Sequence, residues 1–276
     1  MPSPWQHSRS TGSADDIDFE IKGQELQFVE IELDPGESAV AEAGAMVWKD
    51  ASVDMTTVFG DGSSGGGDDS FMGKMLGAGK RLITGESLFT TVFTHQGGGK
   101  ARVAFAAPTP GAILPIKLSD VGGTLICQKD AFLAAARGVS IGIQFQRKVM
   151  TGLFGGEGFI MQKLEGGGWV FVQMGGTVVE RELAPGQELH VDTGCLAAYT
   201  PSVDFDLVTA GGVKSVIFGG EGLFFAKLRG PGKVWIQSLP FSRLAGRIAA
   251  AGMGRGQNRG EGSVLGGIGD IIGGNR

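Results

Sequence analysis

Phe154-Gly-Gly-Glu-Gly-Phe-Ile-Met-Gln-Lys-Leu-Glu-Gly-Gly-Gly-Trp-Val-Phe-Val-Gln173 decides the fold of this chain, because the chain contains it twice. Phe218-Gly-Gly-Glu-Gly-Leu-Phe-Phe-Ala-Lys-Leu-Arg-Gly-Pro-Gly-Lys-Val-Trp-Ile-Gln237 lies over it without a gap at a shift of 64 residues. Of the 20 positions 11 are identical, where chance predicts about one or two. A weaker third copy begins at Gly85-Glu86-Ser87-Leu88-Phe89. A second element precedes each of these. At a shift of 150 residues, Leu33, Pro35, Gly36, Gly44, Ser52, Val53 and Asp54 match Leu183, Pro185, Gly186, Gly194, Ser202, Val203 and Asp204, and a degenerate middle copy runs from Leu118 through Gly122 and Gly123 to Phe132. Self-similarity at a fixed period is the signature of tandem repeats.

The chain accordingly divides into a disordered N-terminus (1–16), a first β repeat (17–108), a second (109–176), a third (177–240) and a tail (241–276) holding a short helix and a Gly-rich flexible end. Within the first repeat, residues 59–79 read as a mobile Gly-rich insert with a short helix after it. Each copy reads as β structure. Ile141, Ile143 and Phe145 alternate with polar residues, and Trp169–Val172, Thr177–Val179 and Val234–Ile236 are β-branched or aromatic runs bounded by glycine. Many short strands separated by turn signals indicate an all-β sandwich or barrel. Pro35-Gly36 and Pro185-Gly186 fit the central pair of a type II turn, where Pro fixes φ and Gly accepts a positive φ. A repeat of about 65 residues is marginal alone, so three copies are expected to pack on one another with pseudo-threefold symmetry.

Bulk composition limits the function. Glycine is 50 of 276 residues, yet hydrophobic residues are 42%, so this is neither a disordered nor a collagen-like chain. The net charge of −5 argues against a nucleic-acid partner, which needs a basic face. Two cysteines and a polar start without an apolar signal segment point to a reducing cytoplasm. No apolar run reaches the roughly 18 residues of a membrane-spanning helix.

The segments Leu183-Ala-Pro-Gly186, Val191-Asp-Thr-Gly194, Leu153-Phe-Gly-Gly-Glu-Gly158 and Ile217-Phe-Gly-Gly-Glu-Gly-Leu-Phe-Phe225 resemble the altered-inheritance-of-mitochondria family over about residues 17–240. The resemblance implies the fold of the tryptophan RNA-binding attenuator protein, a short double-stranded β-helix, in three tandem copies. It also implies a tendency to form trimers or larger rings. The fungal member of the family is linked to the mitochondrial inner membrane.

Candidate sites are few. Glu86, Glu157 and Glu221 recur in the repeats; they would cap their own glycine turns or, converging on an axis, form a carboxylate ring able to hold a cation. His7, His95 and His190 lack metal-ligand spacing, and Cys127 and Cys195 read as small buried thiols. A Cys195–His190 pair would require a bend at Thr193-Gly194. Neither Gly60–Gly67 nor Gly155–Gly158 has a phosphate-loop pattern. Lys163, Lys227, Arg229, Lys233 and Trp235 are the nearest approach to an RNA-stacking surface. In the tail, Arg243, Leu244, Arg247 and Ile248 fall on a short basic amphipathic helix, which would dock on the β core or lie on an anionic membrane. The expectation is a non-enzymatic homo-oligomeric scaffold or binding protein without a cofactor, cytoplasmic, with peripheral attachment at the inner membrane face as a variant. A small-ligand or metal binder using a cavity or axis between repeats is the alternative.

Overall fold

The computed structural model describes residues 16–59, 89–107, 109–147, 159–209 and 224–253. In chain order the strands are β1 (Asp18–Lys22), β2 (Phe28–Leu33), β3 (Ser38–Glu42), β4 (Met46–Lys49), β5 (Val53–Phe59), β6 (Phe89–His95) and β7 (Ala101–Ala106). Then come β8 (Gly111–Lys117), β9 (Thr124–Gln128), β10 (Phe132–Ala136), β11 (Ser140–Arg147), β12 (Phe159–Glu165) and β13 (Trp169–Gly175). The last are β14 (Val178–Leu183), β15 (Glu188–Asp192), β16 (Leu196–Tyr199), β17 (Asp204–Thr209), β18 (Phe224–Arg229) and β19 (Gly232–Gln237), followed by helix α1 (Phe241–Met253). The described residues are thus nearly all β.

Four sheets result. The first has the order β1-β2-β7-β4, the second β5-β6-β3-β10-β13-β8, the third β11-β12-β9-β16-β19-β14 and the fourth β15-β18-β17. Three apolar clusters hold them together. Val29, Ile31, Leu33, Val103 and Phe105 of the first sheet pack with Ala41, Phe93, Leu133 and Phe171 of the second. Val40, Phe132, Ala135 and Val172 from the second meet Leu125, Cys127, Leu164 and Trp235 of the third. Ile126, Met161, Tyr199 and Val234 then meet Val191, Leu207, Ala226 and Leu228 of the fourth. The second and third sheets are therefore apolar on both faces. In β10, Phe132-Leu-Ala-Ala-Ala136, every residue is buried, as is every residue of β16, Leu196-Ala-Ala-Tyr199. Alanine suits these positions because sheets covered on both sides leave little room for longer chains.

The turns follow the sequence. Glu37 N–H donates to Asp34 C=O and Gln187 N–H to Ala184 C=O, each at 2.9 Å, closing turns around Pro35-Gly36 and Pro185-Gly186. The glycines take φ +84° and +76°, as a type II turn demands. Both turns are also braced alike: Glu37 Oε2 accepts from Asp34 N–H and Gln187 Oε1 from Ala184 N–H, each at 2.9 Å. The middle segment reaches β9 differently, through a 3₁₀ turn, Leu118–Val121, ended by Gly122 at φ +81°.

Gly232, which matches Gly168 in the sequence repeat, is held at φ +145°. A Cβ there would meet Thr200 Oγ1 and Ser202 Oγ at 2.5 Å and Val203 Cγ2 at 2.7 Å. Gly232→Ala is expected to cost about 1–3 kcal/mol in urea unfolding. Gly98→Ala, where nothing lies within 4 Å, should stay within about 0.5 kcal/mol of the parent. Equal midpoints for the two variants would refute the crowding at Gly232.

Candidate functional site

The repeated glutamates Glu86, Glu157 and Glu221 lie outside the described residues, as do His7 and most of the 59–79 insert. Among the described residues no group of three His, Cys, Asp or Glu side chains is placed to hold a metal ion. His95 is 1% exposed at the end of β6. Its Nδ1 accepts from Gly97 N–H at 3.3 Å, which leaves Nε2–H to donate to Gly99 C=O at 3.1 Å. That ring ties a turn together. Cys127 is fully buried, and burial pushes its thiol up to about 12, the opposite of what a nucleophile requires. The bend that a Cys195–His190 pair would require at Thr193-Gly194 is present, with Cys195 N–H donating to Asp192 C=O at 2.9 Å. It carries the chain from the fourth sheet into the third, so His190 on β15 and Cys195 before β16 serve different sheets.

Three of the four basic residues considered for RNA stacking, Arg229 being the fourth, sit in ion pairs with neighbouring glutamates. Lys163 pairs with Glu165 at 2.7 Å, Lys227 with Glu188 at 3.1 Å and Lys233 with Glu180 at 2.7 Å. Trp235 is 2% exposed and donates its Nε1–H to the same Glu180 at 2.9 Å.

A charge cluster that sequence reasoning passed over sits across the first sheet. Lys100 Nζ lies 2.6 Å from Glu32 and 3.3 Å from Asp18, Arg102 lies 3.0 Å from Glu32, and Lys22 lies 2.8 Å from Glu30. Burial opposes ionisation of Glu32, but hydrogen bonds from Lys100 and Arg102 outweigh it and hold the carboxyl below its usual range. The i, i+2 spacings Glu20/Lys22, Glu30/Glu32 and Lys100/Arg102 were the available signal, since alternate residues of a strand share a face. With its charges paired, this face reads as structural.

Among the described residues, two open strand edges stand out. β4 ends the first sheet and β15 ends the fourth. Unlike the buried strands β10 and β16, β4 shows Met46, Val47 and Trp48 at 37%, 54% and 36% exposure. On β15, Glu188 and His190 are exposed while Val191 is buried.

Helix α1 begins against β15: Arg243 Nη2 lies 3.8 Å from Asp192 Oδ2, and Arg243 N–H donates to Pro240 C=O at 3.0 Å. Leu244 is half-buried, whereas Phe241 and Ile248 are 52% and 64% exposed and Arg247 is exposed. Of the residues considered for membrane contact, Arg243 and Leu244 are thus drawn towards the β core, and Arg247 and Ile248 face outward. No described helix is long and apolar enough to cross a membrane.

Known proteins agree with this architecture. An uncharacterised protein of Streptococcus pyogenes serotype M6 is 30% identical over 230 residues, 82% of this chain and 87% of that protein. A crystal structure of a Streptococcus pyogenes protein matches with a TM-score of 0.67 at 26% identity, covering 86% of this chain and all of that one. The family model described as mitochondrial biogenesis AIM24 matches residues 19–239. Over nearly its whole β region, then, the chain belongs to the AIM24 family.

Proposed function

We propose that this chain is a non-enzymatic scaffold or binding protein that works as a homo-oligomer and is built from three tandem β units. Strand pairing joins the first unit to the second and the second to the third. Among the described residues no strand of the third pairs with the first, so the pseudo-threefold closure expected from the sequence is not part of this reading. The repeat reading draws support from strand pairing. β2–β7, β8–β13 and β14–β19 are equivalent antiparallel pairs, and so are β3–β6, β9–β12 and β15–β18. The bulges agree as well: the registers of β4–β7, β10–β13 and β16–β19 slip between Met46/Trp48, Phe132/Ala134 and Leu196/Ala198.

The single observation that carries oligomerisation is the exposed apolar edge Met46-Val47-Trp48 on β4. Such an edge is a template for further pairing, and proteins either cover it or use it. No described cluster offers a nucleophile with an adjacent base, so the geometry gives binding more support than catalysis. Native mass spectrometry of the full chain with parallel metal analysis tests the reading. A bare, discrete oligomer is expected. A monomer would overturn it, and a stoichiometric metal or small molecule would favour the ligand-binding alternative.

A second reading concerns α1, where exposed Phe241 and Ile248 with Arg247 beside them form an apolar and basic face. Under it the chain attaches peripherally to anionic membranes. Co-sedimentation with anionic vesicles is expected to fall several-fold for Ile248→Asp, and equal pelleting of parent and variant would discard the membrane role.

A further inference from the structure

We infer that β4 and β15 are the two halves of one junction, and that a second copy of this chain completes it head to tail. The inference rests on the tandem-unit reading and specifies the contact by which the units' own joining mode continues between chains. Within the chain that mode occurs twice. β3 of the first unit pairs antiparallel with β10 of the second, through Ala41↔Ala134, Val40↔Ala135 and Ala39↔Ala136. β9 of the second unit pairs with β16 of the third, through Cys127↔Ala198 and Ile126↔Tyr199. The same two strand types meet each time, in the same register.

The inventory then leaves one strand of each type over. β15 corresponds to β3 and β9, and β4 corresponds to β10 and β16. Both leftovers end their sheets although both belong to the same chain. Other edges differ in kind: β5, β11 and β17 are terminal in every unit, β8 and β14 are terminal in both units that carry no counterpart of β1, and β1 itself is an addition to the first unit, so none of these edges lacks a partner that its counterparts have. β4 does lack one: its counterparts β10 and β16 are buried at every residue while Val47 is 54% exposed. The third junction does not form within one chain, so its occupant is another chain presenting the opposite edge.

The register transfers directly. Trp48 occupies the place of Ala134 and Ala198 beside the bulge, and Val191 the place of Ala41 and Cys127. Trp48 of one copy therefore lies opposite Val191 of the next, with Lys49 opposite His190 and Leu189 opposite Asp50. Trp48 would lay its ring over the apolar cluster of Val191, Ala226 and Leu228, just as Phe171 enters the first cluster and Trp235 the second. A contact between unlike edges is heterologous, so it propagates until the rotation closes a ring.

Disulfide trapping tests the register. Lys49→Cys and His190→Cys are placed on separate chains in a Cys195→Ala background, Ala45 being the residue at the corresponding place in the first unit. Lys49 is half-buried and His190 exposed, so neither change opens the core. Mixing the two variants under mild oxidation should give a reducible covalent species of twice the chain mass. Thr57→Cys on exposed β5, mixed with His190→Cys, should give none. In parallel, Val47→Glu should convert the native oligomer to monomer with unchanged far-ultraviolet circular dichroism. Two results would overturn the inference. One is a chain carrying both Lys49→Cys and His190→Cys that closes only on itself while the mixed single variants stay apart. The other is an oligomer that survives Val47→Glu and never traps, which would leave the scaffold reading intact but remove this interface from it.

Discussion

Phe171→Ala is expected to lower the stability of the chain by about 3–5 kcal/mol, among the largest losses any single truncation would produce. Phe171 lies at the centre of β13 with no exposed surface. On one side it is paired with Ala134 of β10, and on the other with Pro115 of β8. Its ring projects into the cluster that the first sheet contributes, edge-on to Phe19 of β1 with centroids 4.9 Å apart, and Phe19 in turn stands 5.0 Å from Trp169. Truncation removes the buried transfer term and leaves a cavity bounded by strands whose hydrogen bonds resist collapse. On the proposed tandem-unit reading, β13 belongs to the second unit and the cluster mainly to the first, so the loss also measures how firmly the units are fastened. A double-mutant cycle with Phe19→Ala should return a coupling of about 0.5–1.5 kcal/mol for the edge-to-face pair. Urea unfolding decides it. A loss under about 1 kcal/mol would mean that the units stand without this contact.

The sequence reading reached the β class and the turns, because those depend on local chemistry. Pro35-Gly36 and Pro185-Gly186 adopt the turns their residue types require. The strands at the unit junctions were harder to read. Ser38-Ala-Val-Ala-Glu42 and Phe132-Leu-Ala-Ala-Ala136 contain little of the β-branched and aromatic signal by which strands are recognised. They are strands because partners on both sides and sheets on both faces make them so, a tertiary effect no local window contains. Alternation failed as a guide for the same reason: in β13, Val170 to Gly175 is buried throughout. At Ile141, Ile143 and Phe145 the alternation is genuine, but a bulge interrupts it between Ile143 and Phe145. The candidate site was legible only by subtraction. Nothing in Met46-Val-Trp48 distinguishes it from an interior strand until the pairing partners of β10 and β16 are known, and among the described residues no strand takes that place beside β4. The paired charges around Glu32 were hidden differently, since Lys100 and Arg102 stand about seventy residues from the carboxylates they neutralise.

Glu42→Gln is expected to stabilise the chain at pH 8 and to leave it nearly unchanged at pH 5. Glu42 is the last residue of β3, near enough to the turn Lys129–Ala131 to feel the charges of Asp130 and Lys129. Burial pushes its carboxyl from 4.5 up to about 7; Asp130 adds to the rise and Lys129 opposes it. A folded-state value above the unfolded one means that the folded chain holds the extra proton between about pH 4.5 and 7. Stability therefore falls as pH climbs through that window, by up to about 3 kcal/mol once the carboxylate is charged. Residual solvent contact screens part of this, so a gain of about 1–3 kcal/mol at pH 8 is expected for the glutamine variant. Glutamine also has a precedent in the chain. On the proposed tandem-unit reading, the position of Glu42 on β3 is that of Gln128 on β9, adjacent to Cys127 as Glu42 is to Ala41, and Gln128 is buried, accepting from Gln237 Nε2 at 3.2 Å. One unit then keeps a neutral amide where the other keeps an acid that becomes neutral only below about pH 7. Urea unfolding of parent and variant at pH 5 and pH 8 separates the cases, since titrating groups that do not interact with Glu42 cancel in the difference. A shift of equal size at both values would show that the gain comes from packing, and that the buried charge of Glu42 contributes nothing to the pH dependence.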